Sequence, residues 1–173
     1  MMINVFSNNL YKLNKFYREQ LKEIIKDIKE KEISEEDYFR NRMLKFNVNI
    51  EPKCKDTRSK DDGIDFIIYN NNQIFICQLK FWEKALNKKI IKEIYGGMYL
   101  SDLAIKYRNQ RKKVKFCLFC PFVNDNCIEF LKQYYKEDYY IFYNEEFIEA
   151  LLNPMNFVKN RMFDMEESNY DRY

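Results

Sequence analysis

Three polar side chains, Asp65, Gln78 and Lys80, lie in two apolar, β-rich segments that flank an Asn-rich turn. Asparagine tolerates the positive φ of tight turns, so the pattern predicts a β-hairpin. A two-residue turn at Asn71 and Asn72 would place Asp65 directly opposite Gln78. Lys80 would share the face of Gln78, because side chains alternate along a strand. The hairpin therefore brings a carboxylate, an amide oxygen and an ammonium group together.

This combination of groups matches the needs of metal-dependent phosphodiester hydrolysis. The cofactor expected is Mg²⁺, with Mn²⁺ as a substitute, held by oxygen ligands. Asp65 is the main candidate ligand, supported by the Gln78 side-chain oxygen and the Leu79 carbonyl. Lys80 would supply positive charge where negative charge develops in the transition state. A second carboxylate is needed, and the acidic start of the second predicted helix offers Glu35, Glu36 and Asp37.

Composition excludes several other chemistries. The chain has 173 residues, enough for one domain with its own core, and a formal net charge of +3. It has no histidine, which excludes Ser-His-Asp and Cys-His catalysis. Cys117 and Cys120 would point to opposite faces of a strand, so we interpret them as buried structural residues. Apolar runs are too short to span a membrane and no signal-peptide pattern is present, so we expect an intracellular protein, cytoplasmic or, in a eukaryote, nuclear.

Hydrophobic periodicity predicts an α/β fold with a mixed sheet between helices. An amphipathic helix over 8–32 precedes a helix that is capped by Ser34. The glycine pair Gly96-Gly97 lies inside a predicted helix over 87–109, where it indicates close packing against the sheet or, alternatively, a break. The other predicted elements are strands at 48–50, 64–69, 74–82, 113–120 and 139–143, a loop at 51–62, and helices from 124 or 125 to about 135 and at 145–152.

The order of these elements and motifs resembles the Mrr-type branch of the PD-(D/E)xK nucleases. The resemblance rests on the acidic-start helix, on Asp62-Gly63-Ile64-Asp65 before one strand, and on Gln78-Leu79-Lys80 in the next. It continues with a helix that reaches Glu93-Ile94-Tyr95-Gly96-Gly97. The later segments are similar to that family's fourth strand, helix, fifth strand and closing helix, so the resemblance covers residues 35–152.

The resemblance implies a three-layer restriction-endonuclease-like fold with a central mixed sheet of about five strands. It also implies a Mg²⁺-dependent endonuclease that hydrolyses DNA. The active-site residues carried over are Asp65, Gln78, Lys80 and Glu36. Glu35 is the fallback for the helix carboxylate. The sequence differs from the parent motif at Ile64, where the family has proline, and at Gln78, where the parent motif has an acid but the Mrr branch has glutamine.

Residues 34–152 would form the nuclease domain, with an N-terminal helix extension over 1–33 and an acidic, aromatic tail over 153–173. Double-stranded DNA is the expected partner. The N-terminal helix would form a homodimer or assembly contact or, equally, pack on its own domain. Basic residues cluster in two segments, and those expected to bind nucleic acid are Lys88, Lys89, Lys92, Arg108, Arg111 and Lys112.

Each of these basic residues has a simpler interpretation as part of a solvated helix face. The glutamine in the motif likewise leaves an alternative function open. The chain would then be a catalytically inactive nuclease-fold module that binds nucleic acid or serves as a subunit of a larger assembly.

Overall fold

A five-stranded mixed sheet forms the centre of the protein, as seen in a computed structural model that describes residues 9–52, 63–134 and 138–163, apart from the side chains of 131–134. Its strands are β1 (Ile50–Pro52), β2 (Phe66–Tyr69), β3 (Gln73–Leu79), β4 (Lys113–Phe119) and β5 (Tyr139–Phe142). They lie side by side in chain order. The first three pair antiparallel, and β3, β4 and β5 pair parallel. Most of the predicted loop at 51–62 lies outside the described residues.

Helices cover both faces of this sheet. In chain order they are α1 (Lys15–Lys31), α2 (Glu35–Lys45), α3 (Lys88–Tyr99), α4 (Asp102–Asn109), α5 (Cys127–Tyr134), α6 (Glu145–Leu152) and α7 (Pro154–Phe157), which continues as a π-helical segment, Val158–Phe163. α1, α2, α6 and α7 share one buried cluster with the sheet, and α3, α4 and α5 share the other. The predicted α/β class with a mixed sheet between helices is therefore confirmed. No helix among the described residues is long and apolar enough to cross a membrane.

Polar side chains set where the first two helices begin. The Asn14 side chain accepts a hydrogen bond from the Tyr17 N–H, so α1 starts at Lys15 and not near residue 8 as predicted. A short 3₁₀ turn precedes it. Ser34 caps α2 through a bond from the Asp37 N–H, as its sequence predicted. An acidic first turn then stabilises the positive end of the α2 dipole.

The single helix predicted over 87–109 is instead two helices, α3 and α4. The break falls at Leu100, because the Ser101 side chain accepts from the Ala104 N–H and starts a new helix. Gly96 remains inside α3, and a Cβ built on it would meet no atom within 4 Å apart from the neighbouring backbone of its own helix. At Gly96 the structure therefore shows neither the predicted close contact nor the alternative break.

Both termini of the described chain belong to the main core. Leu21 and Ile25 of α1 are buried in the same cluster as Phe119 of the sheet. Phe157 and Met162, from the segment predicted as a tail, are buried there too. The apolar face of α1 thus packs on its own domain, and the segments predicted as flanking extensions complete the core.

The predicted structural role of two cysteines agrees with their placement. Cys117 pairs with Cys77 in the β3–β4 register, and Cys120 faces the other cluster. Both side chains are fully buried, and this burial raises the pKa of each thiol.

Replacement of Gly96 tests whether this glycine serves packing. We expect Gly96→Ala to raise the free energy of unfolding by about 0.5–1 kcal/mol, because alanine favours the helix and the new methyl group meets open space. Chemical denaturation of the wild type and the variant measures the change. A loss of stability would mean that the glycine fills a packing role that the backbone geometry does not reveal.

Candidate active site

The hairpin turn between β2 and β3 has the predicted register. The Asn70 N–H donates to the Gln73 carbonyl at 3.0 Å. The Asn70 side chain also accepts from the Asn72 and Gln73 N–H groups, at 2.9 and 2.8 Å. This side chain therefore holds the turn closed and sets the pairing of the two strands.

The register changes at the other end of the hairpin. Phe66 pairs with Cys77, and the Asp65 N–H also donates to the Cys77 carbonyl, at 2.9 Å. A regular antiparallel ladder would have paired Asp65 with Gln78. Two residues of one strand thus oppose one residue of the other, which is a β-bulge. The predicted direct pairing of Asp65 with Gln78 is wrong, because this bulge turns Asp65 elsewhere.

The Asp65 carboxylate instead meets a main-chain donor and another carboxylate. Its Oδ2 accepts from the Leu79 N–H at 2.7 Å. The pKa of Asp65 is raised to about 7, and burial is the largest cause. The charge of Glu36 and a hydrogen bond from protonated Asp65 to Glu36 also raise this pKa, whereas the Leu79 bond and the charge of Lys80 lower it. The carboxylate in contact with Asp65 is thus Glu36, the residue implied by the resemblance ahead of Glu35.

An aromatic stack positions Glu36 against Asp65. Phe39 follows Glu36 by one helical turn and lies on the same face of α2. Its ring stacks on Phe66, with centroids 5.1 Å apart, and contacts Phe119 at 4.8 Å. Because Phe66 follows Asp65 directly, the ring that anchors the helix also sets the distance between the two carboxylates.

A second group of side chains surrounds Gln78, which is only 5% exposed. Its amide nitrogen donates to the Gly63 carbonyl and its oxygen accepts from Lys80 Nζ, both at 3.0 Å, in the orientation that satisfies both neighbours. Lys80 Nζ also lies 4.9 Å from the centre of the Trp82 ring. The predicted Gln78–Lys80 pair is thus in direct contact, and the amide holds the ammonium group in place.

A groove separates this second group from α3 and has a volume of about 330 Å³. Gln78, Lys80 and Trp82 line one side, and Glu93 and Gly97 are among the α3 residues that line it. Trp82 and Glu93 were not among the predicted site residues. The sequence signal for Trp82 was its position two residues after Lys80.

The predicted nucleic-acid-binding residues fall into two separate groups. Lys88, Lys89 and Lys92 lie on α3 beside the groove, and the ammonium groups of Lys88 and Lys92 lie 5.6 and 5.0 Å from the centre of the Phe130 ring.

The second basic group consists of Arg108, Arg111 and Lys112 and immediately precedes β4. The β3–β4 register aligns Gln73 with Lys113 and Leu79 with Phe119, so Arg111 and Lys112 lie at the opposite end of the sheet from Lys80, about 20 Å away along the strands. The Arg108 guanidinium lies between these ends, 5.6 Å from the centre of the Phe116 ring. The structure therefore does not bring all six predicted residues to one site.

The oxygen donors here suit a hard divalent cation. Two carboxylates in contact, one of them half-buried, repel each other, and a shared cation would relieve that repulsion. Leu79 contacts Asp65 through its N–H, and the Gln78 amide oxygen accepts from Lys80 Nζ, so the Leu79 carbonyl and the Gln78 oxygen stay predicted ligands. Within the described residues, however, no three His, Cys, Asp or Glu side chains come together as a metal-binding group. Glu36 and Asp65 would therefore hold the ion with neutral oxygens and water.

Comparisons with known proteins add no assignment. No family model matches the chain, and no curated protein or solved structure was found to be similar to it.

Gly63 offers a direct test of how Gln78 is held. Its φ is +80°, and an added Cβ would lie 2.7 Å from the nearer terminal atom of the Gln78 amide. We expect Gly63→Ala to lower the free energy of unfolding by about 1–3 kcal/mol, because alanine is strained at this φ and displaces the amide. Chemical denaturation of Gly63→Ala and Gly96→Ala measures the change in the free energy of unfolding of each variant. The change should be negative for Gly63→Ala and positive for Gly96→Ala. Unchanged stability in Gly63→Ala would contradict this geometry.

The raised pKa of Asp65 predicts a specific pH dependence of stability. The folded state holds this proton more tightly than the unfolded state, whose pKa is near 3.8, so stability should fall as pH rises from about 4 to about 7 and then level off. In Asp65→Asn this fall should be reduced, so the variant should gain stability relative to wild type as pH rises. Thermal unfolding across this range, with the exposed Asp102→Asn as control, measures the effect. A wild-type-like slope in Asp65→Asn would contradict it.

Proposed function

We propose that this protein is a metal-dependent endonuclease that hydrolyses phosphodiester bonds in DNA. One observation carries the proposal: a carboxylate pair, Glu36 with Asp65, and an amide-held lysine, Gln78 with Lys80, meet at one end of the sheet. The element order from α2 to α6 supports a restriction-endonuclease-like domain of the Mrr type, which the sequence motifs resemble.

Each residue would have a distinct task in this reaction. A divalent cation such as Mg²⁺ or Mn²⁺, held by Glu36 and Asp65, would polarise the scissile phosphate and activate water. The Leu79 N–H orients Asp65 by its bond to Oδ2. Lys80 would stabilise the negative charge that develops on the phosphate oxygens. Gln78 fixes the Lys80 ammonium group through its amide oxygen.

Cleavage of labelled DNA and RNA, single-stranded and duplex, with Mg²⁺ or Mn²⁺ tests the proposal. We expect cleavage by the wild type that EDTA, Asp65→Asn and Glu36→Gln abolish. Lys80→Ala should lower the rate about 100-fold to 1,000-fold, the loss typical when one donor to a developing oxyanion is removed.

Two matched variants control for non-specific effects. Glu35→Gln alters the neighbouring carboxylate in the same helical turn and should keep activity. Lys106→Ala removes a lysine that also lies over an aromatic ring, 5.8 Å from the centre of Tyr107, and should do the same. If the folded wild type cleaves no substrate with either metal, the proposal fails, and salt-sensitive binding would instead support the inactive nucleic-acid-binding alternative.

A further inference from the structure

Trp82 is exposed at the edge of the groove beside the candidate active site. It is 40% exposed and is the only tryptophan in the chain. The preceding residue, Phe81, faces the core, where its ring lies 5.3 Å from Phe147. The main chain therefore turns one aromatic ring inward and presents the next one to the groove.

The Trp82 ring is held next to the proposed reacting groups. Lys80 Nζ lies 4.9 Å from the ring centre, a distance that permits a cation–π interaction. The Gln78 amide fixes that ammonium group in turn. A ligand in contact with Trp82 would thus have a positive charge within reach. A nucleotide matches this pair, because its base can stack on indole while its phosphate lies near the ammonium group.

The size of the groove and its charges favour one strand over two. Its volume of about 330 Å³ is at the small end of ligand sites, and Ile90 and Ile94 of α3 close one side. In continuous duplex DNA each base is covered by its stacked neighbours, so no base face is free for Trp82. Arg111 and Lys112 lie about 20 Å along the sheet from Lys80, too far to hold the same nucleotide.

We infer that Trp82 stacks on an unpaired base of the substrate, so the site takes single-stranded nucleic acid in preference to continuous duplex. The inference rests on the proposed nuclease function and specifies its substrate class. It also departs from the double-stranded DNA expected from the sequence.

Intrinsic fluorescence tests the inference directly, because all tryptophan emission comes from Trp82. The wild type in EDTA is titrated with an oligonucleotide of mixed sequence, as single-stranded DNA, as RNA of the same sequence and as blunt DNA duplex. Fluorescence anisotropy of end-labelled oligonucleotides measures binding independently. We expect saturable quenching by single strands and at least about 10-fold weaker binding of the duplex. The DNA and RNA arms show which sugar the site accepts.

Two substitutions separate stacking from a general loss of folding. Trp82→Ala should weaken single-strand binding about 5-fold to 150-fold, the range for loss of one base–aromatic stack, whereas Trp82→Phe should keep most of it. The matched control is Tyr99→Ala, since Tyr99 is also exposed and carries a cation, the Arg108 guanidinium, 4.2 Å from its ring centre. That variant should bind as the wild type does. Circular dichroism confirms that each variant is folded.

Several outcomes would overturn the inference. These are unchanged emission at saturation of binding, equal affinity for duplex and single strand, or unchanged single-strand affinity in Trp82→Ala. A different result would contradict the nuclease proposal alone. Quenching of Trp82 and a preference for single strands, without metal-dependent cleavage, would support the binding site and contradict the proposed catalysis. If the protein cleaved duplex DNA and Trp82→Ala did not change the rate, the nuclease proposal would be supported and stacking of a base on Trp82 would be contradicted.

Discussion

The β-bulge at Asp65 is the constraint on which the candidate site depends. Because Asp65 and Phe66 share one partner, Cys77, Phe66 enters the core while the preceding carboxylate leaves the regular ladder. The core side of this arrangement anchors α2 through Phe39. The polar side brings Asp65 to the Leu79 N–H and to Glu36. One extra residue in a strand thus couples the packing of a helix to the contact between two carboxylates.

The site divides into two parts with opposite electrostatics. Glu36 and Asp65 form the acidic part, in which burial raises the pKa of Asp65. The other part is positively charged and consists of the Lys80 ammonium group, which contacts the neutral Gln78 amide and the Trp82 ring. Titratable groups with perturbed pKa values concentrate at functional sites, where catalysis needs a pKa matched to its task. The two parts suit the two demands of phosphodiester hydrolysis, a held cation and stabilisation of developing negative charge.

Local signals predicted much of this arrangement. The Asn-rich turn, the Ser34 cap and the acidic start of α2 each act within a few residues, and the structure has all three. The bulge was missed because it depends on how Phe66 packs against a distant helix. The break before α4 carried a signal, Ser101, but the hydrophobic period continued through it. The separation of Arg111 from the site follows from the parallel pairing of β3 and β4, because Arg111 precedes β4 whereas Lys80 follows β3.

The proposed reaction requires Glu36 and Asp65 together to hold one divalent cation. Electron paramagnetic resonance of Mn²⁺ tests it without substrate, because the signal of the free ion diminishes as the ion binds. Titration of the wild type should show one bound ion, with that binding lost in Asp65→Asn and in Glu36→Gln and retained in Glu35→Gln. The proposal would be contradicted if the folded wild type bound no Mn²⁺, or if both site variants bound it as tightly as the wild type does.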